Sequence, residues 1–145
     1  MAWRHSKLLK KWRRLRGDRR GALTIEFGFA LPVLILMTVG LIDVSMLLWS
    51  SSTIENAAAE GARYAVVNGA SSPSPKSASE IETFIRTSAV GVPASALNVN
   101  VTWQPSNQSG SRVTVALAYN HNFLIGGLIG LDPVEINKTS RMIVF

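Results

Sequence analysis

The chain has 145 residues, enough for one small domain and an appendage. Its net charge of +6 resides in the leader: residues 1–21 hold nine Lys/Arg and one Asp, whereas the remainder holds six Lys/Arg against eight Asp/Glu. That split argues against a nucleic-acid-binding domain, which would spread positive charge over a folded face, and the absence of cysteine excludes disulfide staples, thiol catalysis and thiolate metal sites.

The leader, "MAWRHSKLLKKWRRLRGDRRG", places Leu8, Trp12 and Leu15 at i, i+4 and i+7. This spacing suits a short basic amphipathic helix on an anionic membrane surface. The same residues equally suit a solvated cytoplasmic tail.

Phe27–Ile42 is a run of sixteen residues without a charge, and the apolar character resumes after Asp43 as far as Trp49. As a helix, Phe27–Trp49 would extend roughly 34 Å, enough to cross a hydrocarbon layer of about 30 Å. Trp49 then falls near an interface, where Trp is favoured. The basic leader keeps the N-terminus cytoplasmic and sends the C-terminal part across the membrane. The run exceeds the apolar core of a cleaved secretory signal, and "LLWSSSTIENA" lacks a small-residue cleavage site, so a retained anchor is expected. Asp43 lies near the outer boundary, where it either caps a polar contact or rests at the interface.

The alanine-rich stretch "SSSTIENAAAEGARYAVVNG" continues the helix to about Asn68. Ile54, Ala58, Gly61 and Ala65 share one face, and Glu60 and Arg63 are spaced to pair at i, i+3. A face this small permits close approach to another helix or a sheet, and equally describes an alanine-rich helix with no partner. Gly69–Ser79 reads as a Gly/Ser/Pro linker. A short helix follows, with Ser79 as N-cap and Glu82 completing a capping box.

Leu97, Val99, Val101 and Trp103 alternate with Asn98, Asn100, Thr102 and Gln104, the pattern of a half-buried strand. "PSNQSG" is a turn. Val113, Val115, Leu117 and Tyr119 form the apolar face of a second strand, "NHNFLIGGLIGLDP" is a longer connection, and Val134–Phe145 is a third strand. The expected fold class is α+β: a long N-terminal transmembrane helix extends into an extracytoplasmic domain with a small, three-stranded antiparallel sheet.

No catalytic constellation is present. His5 lies in the leader, and His121 reads as a turn or edge-strand histidine, with no carboxylate near it in sequence. "GGLIG" lacks the Gly-Lys-Ser/Thr ending of a phosphate loop and reads as a flexible turn. Three Asn-x-Ser/Thr triplets, at Asn100, Asn107 and Asn137, are of the kind Asn-rich strands and turns produce by chance. No enzyme, cofactor, metal or small-molecule substrate is indicated.

The remaining feature is Glu26, a lone carboxylate at the head of the apolar run, five residues after Gly21. Gly21, "ALTI", Glu26 and the apolar helix behind a basic leader resemble the processing signal of the type IV pilin superfamily. More narrowly, Arg19–Ala65, with "RRG", an EF pair, a Leu-Pro-rich helix and "ENAAAEGARYA", resembles TadE-like proteins, minor pilin-like components of the tight-adherence (Flp) pilus system. "VTVALAYNHNFLIGGLIG" and the "SRM" of the last strand resemble the family's C-terminal part more loosely.

The resemblance implies a minor pilin or pseudopilin that supports pilus assembly, adhesion and biofilm formation. A prepilin peptidase would cut the Gly21–Ala22 bond on the cytoplasmic side. Glu26, then fifth in the mature chain, would pair with the free amine of Ala22 on a neighbouring subunit. The implied partners are that peptidase, other pilins and pseudopilins of the system, the inner-membrane assembly platform and the membrane itself. The implied division is a cleaved leader at 1–21, a membrane helix at 22–49, its exposed continuation at 50–68, a linker at 69–79 and an extracytoplasmic domain at 80–145. The competing expectation is an uncleaved single-span protein with an extracytoplasmic binding domain, in which Glu26 merely reaches the interface.

Overall fold

A computed structural model describes residues 19–144. The leader residues Leu8, Trp12, Leu15 and His5 therefore lie outside the described residues, as does Phe145. The chain divides into two compact units, one ending at Leu41 and the other running from Ile42 onward. Helix α1 (Arg19–Val67) supplies the described part of the first unit and the first element of the second.

In the first unit the side chains of α1 are almost all exposed; Phe29, for example, is 78% exposed. The Thr38 hydroxyl donates to the Leu34 carbonyl at 2.8 Å. Such internal satisfaction is what a polar side chain in hydrocarbon requires. Among the described residues, α1 is the helix long and apolar enough to cross a membrane by length and composition.

The second unit is the α+β domain. After α1 come α2 (Ala78–Ser88), β1 (Leu97–Gln104), β2 (Arg112–His121), the one-turn α3 (Gly126–Ile129) and β3 (Val134–Ile143). The three strands form an antiparallel sheet in the order β1-β2-β3. Strand alternation sorts the faces. Leu97, Val101, Val113, Val115, Leu117 and Ile136 are buried, whereas Asn98, Asn100, Thr102 and Asn137 point outward. Against the inner face lie Ile54, Ala57, Ala58, Ala62 and Ala65 of α1 and Ile81 and Ile85 of α2. The small α1 face inferred from spacing is therefore the helical wall of the core. Gly61 makes the tightest approach: a Cβ there would sit 2.4 Å from Ile85 Cγ1. The spaced pair Glu60–Arg63 is not closed. Both side chains are exposed, where an ion pair gains little over water.

Four local expectations are corrected. The α2 cap is Ser77, not Ser79, and its capping-box partner is Glu80, not Glu82. Ser-x-x-Glu occurs in two frames two residues apart. The earlier frame gains Lys76, whose ammonium bonds Glu80 at 2.9 Å, and Ser77 N–H donates to the same carboxylate at 2.9 Å. Within the expected linker, Ala70 N–H donates to Asn107 O and Lys76 N–H to Asn68 O. "GGLIG" contains the α3 turn, closed by Gly130 in the left-handed region (φ 71°), a conformation glycine adopts without strain. His121 ends the central strand, not an edge, and its ring is buried opposite Val134. The third strand ends at Ile143.

Candidate processing and assembly site

Gly21, Ala22 and Glu26 occupy the first turns of α1, and all three are exposed. A Cβ at Gly21 would meet nothing within 4 Å, so the fold itself does not demand glycine there. The backbone at Gly21 is helical, so a protease that reads an extended strand would first unwind the end of α1. Glycine weakens a helix by about 1 kcal/mol relative to alanine, which eases that step. Ala22 and Glu26 are four apart and share a helix face. Glu26 makes no hydrogen bond or ion pair with any described side chain. Glu26 is thus a carboxylate set beside the exposed apolar side chains Ile25, Phe27 and Phe29 without a partner among the described residues.

Asp43 behaves oppositely. Its carboxylate is 4% exposed and accepts the backbone N–H of Leu124 at 2.9 Å and that of Ile125 at 3.5 Å. Of the two roles open from sequence, the structure selects the polar cap: Asp43 fastens α1 to the connection between β2 and β3. The partners are backbone amides 81 and 82 residues away, which no side-chain pattern announces. A second tie, Lys138 Nζ to Glu55 Oε2 at 2.9 Å, joins β3 to α1 and also escaped the sequence. It holds the Glu55 carboxyl below its ordinary value, chiefly through the Lys138 hydrogen bond.

His121 packs edge-on against Phe123, with ring centroids 5.4 Å apart, and neither ring nitrogen has a hydrogen-bond partner. Among the described residues no group of three potential metal-binding side chains gathers.

A family model provides the deciding comparison. Residues 21–63 match the model described as TadE-like protein. The resemblance read from the sequence is borne out over that segment, which begins at Gly21, contains Glu26 and Asp43, and takes in most of the α1 core face. The TadE-like segment ends before α2 and the sheet; the looser likeness at Val113–Gly130 falls outside it. Comparison with curated proteins and with solved structures returned no match.

Proposed function

We propose that the protein is a minor pilin or pseudopilin of a Flp/Tad-type pilus, anchored in the cytoplasmic membrane by α1 with its α+β unit outside. The reading is carried by one coincidence. The TadE-like segment opens at Gly21, and five residues on it places Glu26, exposed and unpaired among the described residues, beside apolar side chains. A charge at the centre of a membrane helix costs about 2.5–3.5 kcal/mol, and less toward the end. A neighbouring ammonium offsets that cost, so the lone carboxylate favours association.

In this reading prepilin peptidase removes residues 1–21 and exposes the amine of Ala22. That amine, on one subunit, meets Glu26 on the next and sets their axial register. The span is 22–49, and the exported part docks with other pilins and with the assembly platform. The protein is a substrate of the processing enzyme and has no catalytic role.

The test is intact mass and N-terminal sequence of the membrane-bound protein, with and without the cognate peptidase. The expected mature chain begins ALTIEF only when the peptidase is present. A chain starting at Met1 in both samples removes the amine that Glu26 requires and overturns the reading.

A further inference from the structure

Between His121 and Asp132 the chain carries no charge, and it contains the apolar sequence "FLIGGLIGL" at Phe123–Leu131. In the fold this segment is not core: Leu124 is 64% exposed, Ile129 51% and Leu131 50%. Side chains of this size rarely stand exposed together unless they meet a membrane or a partner. Their position along α1 is fixed, because Asp43 holds the amides of Leu124 and Ile125. Trp49 marks a second level. Its indole lies over Gly91, where a Cβ would come within 3.3 Å of Nε1, and the neighbouring Val90 is exposed.

We infer that the Phe123–Leu131 loop is a second membrane contact, inserted into the outer leaflet beside α1, with lipid acyl chains as its partner. The inference rests on the membrane-anchored reading of α1. Asp43 precedes Trp49 by six residues, roughly 9 Å along a helix. With Trp49 at the interface, the loop is held about that far inward, within the ~5–10 Å at which interfacial apolar segments are buried. Part of the loop's backbone is already paired. Leu124 and Ile125 donate to Asp43, while Gly126 N–H donates to Phe123 O, Ile129 N–H to Ile125 O and Leu131 N–H to Gly126 O. Amides paired in this way do not need water, which hydrocarbon cannot supply. On the α1 side, Val44, Met46 and Leu48 are exposed at the same level. Lipid against the loop is therefore continuous with lipid against the helix. Buried beneath this layer, the Asp43 carboxylate is shielded from hydrocarbon by the amides it accepts.

The chain has no cysteine, so single environment-sensitive labels are readily placed. Four full-length variants, Leu124→Cys, Ile129→Cys, Met37→Cys and Thr102→Cys, carry an NBD label in phosphatidylethanolamine–phosphatidylglycerol vesicles. Quenchers are spin-labelled lipid and aqueous iodide. The expected result is that labels at 124 and 129 lose emission to the lipid quencher, as at 37, and resist iodide. The label at 102, on the outer face of the sheet, shows the reverse. Quenching at 124 and 129 by iodide alone, with 37 still quenched by lipid, overturns the insertion while sparing the anchor. Protection at 124 and 129 from both quenchers assigns the loop to a protein partner and equally overturns it. If 37 too is quenched only by iodide, the anchored reading falls and the insertion with it.

Discussion

Ile85 leaves no room for a side chain at position 61. Alanine is ordinarily preferred to glycine inside a helix by about 1 kcal/mol, so Gly61→Ala would stabilise α1 if nothing faced it. The Cβ would instead fall 2.4 Å from Ile85 Cγ1 and 2.5 Å from Cδ1, in a fully buried side chain. Overpacking of this kind costs about 1–3 kcal/mol. The expected outcome is a lower denaturant midpoint for Gly61→Ala, and a change of sign when the same substitution is made in an Ile85→Ala background. Asp43 supports a second prediction. Asp43→Ala strands the Leu124 and Ile125 amides at a cost of about 1–3 kcal/mol, read as faster hydrogen exchange at those two amides, whereas Asp43→Asn keeps an acceptor and changes exchange less. For Glu26, which has no hydrogen bond or ion pair among the described residues, Glu26→Gln is expected on the pilin reading to leave cutting after Gly21 intact and to reduce assembled pilus, measured by N-terminal sequencing alongside a shear assay. Gly21 and Glu26 stand out in the sequence because the pattern that singles them out is local to one short stretch, and the roles expected of them await the processing and assembly tests. Asp43 was legible only as a burial problem, because its solution lies on a distant backbone.

The elements differ in how they are fastened. Helix α2 begins in a double capping arrangement, and the Ser77 amide, Lys76 and the Ser77 hydroxyl together pull the Glu80 carboxyl down to about 2 from an ordinary 4.5. Because the folded value is depressed, the stabilisation is fully present above the ordinary value and is lost as pH falls toward 2. Glu55, lowered by Lys138, contributes in the same direction. Glu80→Gln is therefore expected to reduce, without abolishing, the fall in melting temperature between about pH 6 and about pH 3. The far side of α2 is clasped by Arg86, whose Nη1 donates to the carbonyls of Ala94 and Leu97 at the entrance to β1. Strands were the most readable elements, because a period of two sorts every residue to a face. The start of α2 misled because two Ser-x-x-Glu frames overlap, and the choice between them depends on Lys76 before the helix.

At the scale of the molecule, the second compact unit begins at Ile42 and not at the polar residues after Trp49. Composition marks where a chain leaves the membrane; packing marks where a fold starts, and the Asp43 bonds draw the two apart. A fragment of residues 42–145 is expected to melt at a higher temperature than one of residues 50–145, which lacks that carboxylate. Equal melting temperatures would contradict the assigned role of Asp43. The wall of α1 has a further consequence. Past Ile54, the residues Ala57, Ala58, Gly61, Ala62 and Ala65 give it little relief, whereas Ile81, Ile85, Leu97, Val113, Val115 and Leu117 across from it are bulky. A smooth rod against large side chains grips well sideways and poorly along its length. Resistance to an axial pull then falls on a few discrete points: Asp43 on the amides of Leu124 and Ile125, Ile54 sunk in the core, Tyr64 stacked on Phe84, and Ile85 seated over Gly61, with the exposed Glu55–Lys138 pair adding little. Under tension such a joint yields by slipping one catch at a time, and its strength is set by those catches and not by the area of the core.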